Sequence, residues 1–349
     1  MTIKSYPNDK KIAELEKIAI SMVASGKGIL AADESSPTIQ KRFDQIQLES
    51  TADNRQFYRE LLFTAPQIEN HISGVILFDE TLRQVDSSGT PFPQLLDGRG
   101  IIPGIKVDLG LADIPGTHGE KATRGLDGLE DRLAEYRTLG AKFAKWRAVI
   151  QIGPHQPSSL AVSINAHSLA RYAAITQEKG LVPIVEPEIL MTGDHTLDAC
   201  ERVAKHTLEH VFAQLSKHRV TLEAMILKPS MITPGDKCPE QVNVEAVARS
   251  TIKIFKQTVP AAVPGIAFLS GGQSSELATA HLNAMNRLGR CPWELSFSYG
   301  RALQEKSLSA WSGKPENKQK AQDALLNRAR CNGAARFGEY SIEMENALP

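Results

Sequence analysis

The sequence has no excess of charge of either sign. Its 349 residues include 40 lysines and arginines and 40 aspartates and glutamates, so the formal net charge at pH 7 is +0. Proteins that bind nucleic acid usually carry a basic excess, and the even balance argues against that class of partner. It leaves room for a local basic pocket that takes a small anion.

Long apolar runs are missing as well. The longest, such as GVILF at residues 74–78, are much shorter than the roughly 18 residues needed to cross a bilayer. The N-terminal stretch MTIKSYPNDKKIAELEKIAI lacks the apolar core and the cleavage site of a secretory signal. Because 42% of the residues are hydrophobic and 23% are charged, as in ordinary globular enzymes, we expect a cytoplasmic protein with no membrane partner.

Cysteine is scarce, and its spacing provides no framework for disulfides. The four cysteines are Cys200, Cys238, Cys291 and Cys331, and no two of them form a C-x-x-C pair. In a reducing compartment such residues are expected to be free thiols, and a regulatory disulfide has little support.

Motifs for metals and nucleotides are also lacking. Only His206 and His210 have the i, i+4 spacing of helical metal ligands, and their segment AKHTLEHVF lacks the glutamate of an H-E-x-x-H site. The sequence has no G-x-G-x-x-G after a predicted strand and no Walker A lysine loop. We therefore expect no metal and no cofactor.

What the sequence does contain is a repeated alternation of short apolar strands and longer helical stretches, after a first helix at residues 12–22. The pattern predicts eight strands, at residues 28–32, 74–78, 102–107, 142–147, 181–186, 223–228, 265–269 and 294–298. Eight such units favour a (β/α)₈ barrel of the α/β class, although a doubly wound open sheet gives similar spacing. No linker splits the chain, so residues 1–349 are expected to form one domain.

The ends of the predicted strands distinguish these two folds. Nearly every apolar run ends in a charged or hydroxyl residue: Asp33, Asp79 and Glu80, Lys106, Lys145 and Arg147, Glu186 and Glu188, Lys228, Ser270, and Ser298 with Arg301. A barrel collects its strand ends at one rim, where catalytic residues lie. An open sheet would concentrate such residues at one switch point instead, so the barrel is favoured.

The C-terminal part has a different pattern. With the barrel expected over about residues 26–315, residues 316–330 read as a charged surface helix that Asn332 and Gly333 would break. The last residues, FGEYSIEMENALP, lack a core pattern, and we expect a mobile tail.

Three lysines stand out because their neighbours are apolar. Lys106 lies in GIKVD, Lys145 in FAKWR and Lys228 in MILKP. A buried ammonium is costly unless it is paired, and desolvation or a nearby cation lowers the pKa of a lysine and frees its amine to attack a carbonyl. Each one alone is more simply a rim residue in a salt bridge, but three at strand ends indicate function.

Carboxylates at the strand ends supply partners for these lysines. Glu186 and Glu188 flank a proline in VEPE, and strand residues at i and i+2 face the same side about 6.6 Å apart. Lys145 and Arg147 have the same relation. Such a set of acids and cations is suited to proton transfer. Asp33 is a further candidate base, with an N-cap of the following helix as the alternative.

Two clusters of small, hydroxyl and basic residues indicate phosphate binding. The first combines the loops after the seventh and eighth strands, where barrels often bind phosphate, and its residues are Ser270, Gly271, Gly272, Ser298, Gly300 and Arg301. The second follows the first strand and contains Ser35, Ser36, Thr38, Lys41 and Arg42. A capped start of an amphipathic helix explains the second cluster equally well.

The stretches GILAADES, GVILFDETL, GIKVD, FAKWR, LVPIVEPEIL, ILKPSM, FLSGGQS and FSYGRALQ occur in the order of one known family. On these motifs the chain resembles class I fructose-1,6-bisphosphate aldolases from residue 28 to residue 304. The resemblance implies a (β/α)₈ barrel that cleaves fructose 1,6-bisphosphate reversibly to dihydroxyacetone phosphate and glyceraldehyde 3-phosphate through a lysine Schiff base. It also implies a metal-free reaction, a sugar bisphosphate as the small-molecule partner, and a homotetramer.

The same motifs imply roles for individual residues. Lys228 would form the Schiff base, Glu186 would be the general acid and base, and Asp33 would assist cleavage at the C4 hydroxyl. The residues that tune charge and hold substrate would be Glu188, Lys145 and Arg147. The C1 phosphate would be bound by Ser270, Gly271, Gly272, Gly300 and Arg301, near Ser298. The residues toward the C6 phosphate would be Ser35, Thr38, Arg42 and Lys106.

The chain departs from the family pattern at two places. Animal members end in a tyrosine that aids proton exchange, whereas this chain ends in NALP and its nearest tyrosine is Tyr340. The turn at Ser36-Pro37-Thr38 replaces the usual small-residue turn. Sedoheptulose bisphosphate is a candidate extra substrate. The alternatives are a transaldolase-like or deoxyribose-phosphate-type aldolase, which two phosphate clusters disfavour, and a binding role without catalysis, which the retained lysine and acids disfavour.

Overall fold

The computed structural model describes residues 9–346. Its barrel strands and one small hairpin are β1 (Gly28–Ala32), β2 (Ile72–Leu77), β3 (Ile102–Lys106), β4 (Leu111–Asp113), β5 (Lys121–Thr123), β6 (Phe143–Ile150), β7 (Val182–Ile189), β8 (Ile226–Leu227), β9 (Gly265–Phe268) and β10 (Glu294–Tyr299). Its helices are α1 (Asp9–Met22), α2 (Ser36–Asp44), α3 (Ala52–Phe63), α4 (Asp79–Arg83), α5 (Phe92–Gly98), α6 (Leu129–Thr138), α7 (Ser159–Glu178), α8 (Leu197–Lys217), α9 (Val244–Thr258), α10 (Ser275–Arg287), α11 (Arg301–Trp311) and α12 (Lys318–Ala335).

Eight parallel strands close into a barrel in the order β1, β10, β9, β8, β7, β6, β3 and β2. Because β1 pairs with β2 on one side and with β10 on the other, the sheet has no free edge. The predicted (β/α)₈ fold is therefore confirmed, and the open-sheet alternative is wrong. Closure places all eight strand carboxyl ends at one rim.

Two strands run further than the apolar pattern indicates. β6 and β7 pair without interruption from Phe143 with Val182 to Ile150 with Ile189. Glu186 and Glu188 therefore lie within β7 rather than after its end. The antiparallel hairpin of β4 and β5 stands outside the barrel and is not predicted from the sequence, since its strands have only three residues each and are partly exposed.

The first helix closes the opposite end of the barrel. Leu15, Ala19, Met22 and Val23 of this region form one buried cluster with side chains from the barrel interior, such as Ile184. The hydroxyl of Ser73, near the start of β2, donates a hydrogen bond to the carbonyl of Met22. Apolar burial on this side leaves the carboxyl ends of the strands as the open face.

Inside the barrel, one large aromatic side chain packs against glycines of two other strands. The ring of Phe143 lies where a Cβ at Gly104 would be, only 2.2 Å from that position. A Cβ at Gly74 would also lie 3.2 Å from the same ring. The barrel is therefore packed by a pairing of large and small residues across neighbouring strands.

The C-terminal part differs from the expectation in two ways. α12 continues through Asn332 and Gly333 to Ala335 instead of breaking there, and it is partly buried. The reason is close packing: a Cβ on Gly333 would lie 2.8 Å from the carbonyl oxygen of Gly26. Glycine here admits a neighbouring backbone rather than ending a helix.

The segment that was expected to be a mobile tail also makes defined contacts where the structure describes it. A short 3₁₀ turn forms at Ile342–Glu345, and the backbone N–H of Tyr340 donates to the side chain of Asn283 on α10. Residues 347–349, which belong to the same predicted tail, lie outside the described residues.

The four cysteines are free, as expected, and all but Cys291 are buried. In residues 9–346 no helix combines the length and apolarity of a membrane span.

Candidate active site

One cavity of about 690 Å³ opens at the carboxyl ends of the barrel strands. It is lined by every residue to which the family motifs gave a role, whereas the other polar candidates from the sequence do not line it, namely Ser36, Lys41, Asp79 and Glu80. Strand-borne members are Lys106, Lys145, Arg147, Glu186, Glu188 and Ser298, and the others are Asp33, Ser35, Thr38, Arg42, Lys228, Ser270, Gly271, Gly272, Gly300 and Arg301. The barrel therefore brings together residues spread over most of the chain.

Asp33 comes directly after β1 and does not cap the helix that follows. The N-cap position of α2 is Ser35, whose hydroxyl makes no capping bond and instead lies 3.1 Å from the Thr38 hydroxyl. The carboxylate of Asp33 is 2.8 Å from the ammonium of Lys145. The capping alternative is wrong, because the side chain points into the cavity.

Lys145 is the centre of a buried charge cluster. Its side chain is 5% exposed, and its Nζ lies 2.8 Å from Asp33, 3.3 Å from Glu186 and 3.9 Å from Asp108. Strand register explains this arrangement, since Lys145 pairs with Lys106 on β3 and stands next to β7 on its other side. Three carboxylates therefore surround one ammonium deep in the barrel mouth.

The cluster holds its members in their charged forms. Burial alone would lower the pKa of Lys145, but Asp33 and then Glu186 outweigh it and raise the pKa well above its usual range. Burial alone would raise the pKa of Asp33, but Lys145 and then Lys228 lower it well below its usual range. For Glu186 the same two lysines outweigh burial and lower its pKa.

Lys228 follows β8 directly and joins this cluster through Glu186. Its backbone N–H donates to the carbonyl of Val185 at 2.8 Å, which continues the pairing of β8 with β7. Its Nζ lies 3.1 Å from Oε1 of Glu186, whose Oε2 faces Lys145. One carboxylate thus stands between two ammonium groups and can exchange protons with a carbonyl substrate bound at either side.

Residues two apart in a strand face the same cavity, as the sequence predicted. Glu188 lines the cavity together with Glu186. Arg147 faces the cavity with Lys145, and its guanidinium is paired with the carboxylate of Glu188. Arg147 is 40% exposed in its side chain, whereas Glu188 is 11% exposed, so this pair lies nearer the mouth. Lys106 also has a carboxylate partner, since its Nζ is 2.6 Å from Asp108.

The loop after β9 has the backbone that an anion site requires. Gly271 and Gly272 have φ angles of 53° and 91°, which side-chain-bearing residues rarely adopt. Arg301, at the start of α11, donates from its guanidinium to the carbonyl of Gln273 at 2.8 Å, so the loops after β9 and β10 are joined. Backbone N–H groups, a helix start and an arginine together suit a phosphate.

Arg42 lies closer to this loop than the sequence suggests. Its guanidinium is 2.5 Å from Glu34, and a Cβ on Gly300 would lie 3.5 Å from its Nη2. The cause is the barrel order, in which β1 and β10 are neighbours. The cluster after β1 therefore adjoins the cluster after β10. Lys106, at the end of β3, is separated from β10 by β1 and β2.

Two acidic residues of the site escape sequence reasoning. Glu34 binds Arg42 and also Arg59, which is 2.6 Å away, and Asp108 bridges Lys106 and Lys145. Both follow predicted site residues closely in the sequence, and this proximity is the signal that could have found them. Leu109 and Leu111 add an exposed apolar edge at the mouth.

Tyr340 is not part of this cavity. Its hydroxyl donates to Glu345 at 2.9 Å, and its ring lines a separate cavity of about 720 Å³ beside α10. In the described conformation it therefore stands apart from the charge cluster.

Comparison with known proteins gives consistent matches over nearly the whole chain. The family described as "Fructose-bisphosphate aldolase class-I" matches residues 14–348. A protein of Xanthomonas campestris named "Probable fructose-bisphosphate aldolase class 1" is 54% identical, with 94% of this chain and 99% of the relative covered. "Fructose-bisphosphate aldolase 4, cytosolic" of Arabidopsis thaliana is 54% identical, with 90% and 80% covered.

A solved structure agrees with these sequence matches. The fructose-bisphosphate aldolase of Plasmodium falciparum, determined in complex with TRAP and a small-molecule inhibitor, superposes with a TM-score of 0.96 at 48% identity. The similarity covers 98% of this chain and 99% of that one.

Removing the central ammonium should reverse the pH dependence of stability at this site. In Lys145→Met, Asp33 loses its nearest cation, so its folded pKa should rise above its unfolded value of about 4. The folded variant then binds more protons than the unfolded chain, so its free energy of unfolding should fall as the pH rises from about 4 toward the raised folded pKa, a range in which the unsubstituted protein keeps the full contribution of Asp33. Chemical denaturation across this range measures the effect.

The matched control is Lys142→Met, which removes a partly exposed lysine just before β6 whose ammonium is paired with Asp97 at the surface. Its stability should keep the pH dependence of the unsubstituted protein. Equal pH dependence in the two variants would contradict a central role for Lys145.

Proposed function

The chain belongs to the class I fructose-bisphosphate aldolase family, whose members cleave fructose 1,6-bisphosphate through a lysine Schiff base, and we propose that Lys228 is the lysine that forms it here. The observation that carries this assignment is the 3.1 Å distance between Lys228 Nζ and the buried carboxylate of Glu186. An amine that attacks a carbonyl must first lose a proton, and this carboxylate is positioned to accept it.

The first half of the reaction forms the imine. The neutral Lys228 amine bonds to C2 of the open-chain sugar while the carbonyl π bond breaks toward oxygen, and a proton then passes from the nitrogen to that oxygen to give a neutral carbinolamine. Glu186 then donates a proton to that hydroxyl, which leaves as water while the nitrogen lone pair forms the C=N bond. The ammonium of Lys145 favours the ionised form of Glu186, so the carboxylate is restored when the proton has been transferred.

The second half breaks the bond between C3 and C4. The protonated imine draws the bonding electrons into an enamine, while a base removes the proton of the C4 hydroxyl and the aldehyde product forms. We assign Asp33 as that base, because it shares Lys145 with Glu186 and lines the same cavity. Protonation of the enamine at C3 and hydrolysis of the imine then release the second product.

The remaining charged residues hold this machinery in place. Lys145 keeps Asp33 and Glu186 ionised while they lie in one buried space. The pair of Arg147 and Glu188 stands nearer to solvent, where it can contact hydroxyl groups of the sugar.

The phosphate groups are assigned to the two sides of the cavity. The residues proposed for the C1 phosphate are Ser270, Gly271, Gly272, Ser298, Gly300 and Arg301. The residues proposed toward the C6 phosphate are Ser35, Thr38, Arg42 and Lys106. The position of Arg42 beside Gly300 gives it access to both groups of residues.

Membership of the family supports four further proposals, on cofactors, location, substrate range and oligomeric state. Class I aldolases are metal-independent, and we propose that this chain uses neither metal nor organic cofactor. We also propose a cytosolic location, which is part of the name of the Arabidopsis relative, and sedoheptulose 1,7-bisphosphate as an additional substrate. A homotetramer is proposed as well. Light scattering coupled to size-exclusion chromatography should give a particle mass equal to four chains, and a mass equal to one chain would contradict the proposed tetramer.

Borohydride trapping tests the lysine assignment. Reduction in the presence of dihydroxyacetone phosphate and a chelator should leave a stable secondary amine on Lys228, which peptide mass spectrometry identifies. Lys228→Met should lose both the adduct and the cleavage activity. Lys237→Met, which removes an exposed lysine of the same loop region, should retain both. An adduct on Lys106 or Lys145 would contradict the assignment.

A second test separates imine formation from carbon–carbon cleavage. Asp33→Asn should lower kcat for fructose 1,6-bisphosphate by roughly 10²- to 10⁴-fold, the usual contribution of a general base. Trapping of dihydroxyacetone phosphate on Lys228 should persist, because that step does not use the C4 hydroxyl. Loss of trapping together with cleavage would instead show that Asp33 acts before the bond breaks.

A further inference from the structure

A completely buried arginine connects the helices that follow the proposed C1-phosphate loops. The side chain of Arg328, on α12, is 0% exposed. Its Nη2 donates to the carbonyl of Ser275 at 2.9 Å and to the hydroxyl of Thr279, and its Nε donates to the carbonyl of Ala302 at 3.3 Å. Ser275 is the first residue of α10, and Ala302 is the second residue of α11.

These two helix starts carry the loops that the proposed function assigns to phosphate. Gly271 and Gly272 lie a few residues before α10, and Gly300 with Arg301 marks the beginning of α11. The Arg328 side chain therefore connects the starts of α10 and α11 on the side away from the cavity. It does not line the catalytic cavity.

A cation in this position requires compensation. A buried charge is costly, and the positive ends of two helix dipoles disfavour an ammonium or guanidinium beside them. Glu345, in the C-terminal 3₁₀ turn, supplies the compensation: its carboxylate is 4% exposed and is paired with the guanidinium of Arg328. The Tyr340 hydroxyl donates to the same carboxylate.

A second cation extends this contact to both helices. Lys306 on α11 is 3.0 Å from Glu345 and 2.8 Å from Glu276, which lies in the first turn of α10. Charges of alternating sign thus run from α10 through α11 to the C-terminal turn and α12. The C-terminal turn completes a network that fixes α10 and α11 relative to each other.

We propose that Arg328 and Glu345 are positioning residues for the phosphate site, so that the C-terminal turn sets the affinity for the substrate phosphate without touching the substrate. This proposal rests on the assignment of the loops after β9 and β10 to phosphate. Loss of the Glu345 charge would leave Arg328 buried without its counter-ion and loosen the spacing of the two helix starts. Imine formation at Lys228, which the barrel strands position, would be unaffected.

Two trapping probes separate phosphate binding from imine formation. Dihydroxyacetone phosphate uses both the phosphate site and the lysine, whereas dihydroxyacetone uses only the lysine. In Glu345→Gln, the concentration of dihydroxyacetone phosphate that gives half-maximal borohydride trapping should rise roughly five- to tenfold, at the lower end of the range typical of couplings between sites. The corresponding concentration of dihydroxyacetone should not change.

The matched control is Glu343→Gln, in the same 3₁₀ turn, whose exposed carboxylate is outside the network. It should leave both concentrations unchanged. Unchanged values for Glu345→Gln, or an equal change for both probes, would overturn the proposal, since general destabilisation affects the probes alike.

A milder variant covers the case in which Glu345→Gln does not fold. Lys306→Met retains the buried pair of Arg328 and Glu345 and removes only a side chain that is 39% exposed. The proposal requires the same selective rise for dihydroxyacetone phosphate, and its absence would overturn the proposal. An adduct on another lysine would contradict the proposed function. The ratio of the half-maximal concentrations for dihydroxyacetone phosphate and dihydroxyacetone would still test whether the C-terminal turn affects phosphate affinity.

Discussion

The active site depends on one buried ammonium that is surrounded by carboxylates. Lys145 faces Asp33, Glu186 and Asp108, and all four side chains are largely buried. Any of these charges alone would be strongly disfavoured at such a position. Because they compensate one another, two acids with different proposed roles can remain ionised side by side, next to the lysine that is proposed to react.

Barrel closure is what makes this cluster possible. Asp33 comes from the end of β1, Lys145 from β6 and Glu186 from β7, and a side chain from β6 reaches β1 only across the mouth of a closed barrel. α1 seals the other end with apolar side chains, and Phe143 fills the interior. Polar groups are thereby confined to one face, where a substrate can enter.

The two parts of the site differ in how they are held. Lys145, Glu186 and Glu188 lie within strands and Lys228 directly follows one, so the hydrogen bonds of the sheet fix them directly. The loops that are proposed to bind phosphate lie beyond the strands and are held by contacts from outside the barrel. Arg301 bound to Gln273 provides one such contact, and the network of α12 with the C-terminal turn provides another. If the proposed assignments hold, imine chemistry and phosphate affinity respond separately to substitution.

The amino-acid sequence by itself determined the alternation of strands and helices, the polar residue at the end of nearly every strand and, through these, most of the charged residues of the cavity. These are local properties, because an apolar run and the residue after it are adjacent in the chain. The resemblance to the family motifs added a proposed role for each of the site residues. Which carboxylate meets which lysine was decided only by the tertiary structure, since strand register and barrel closure set those distances. The same holds for Arg328, which reads as a surface charge in its helix, and for Gly333, which reads as a helix breaker. Their burial comes from neighbours distant in the chain, and only packing brings those neighbours into contact.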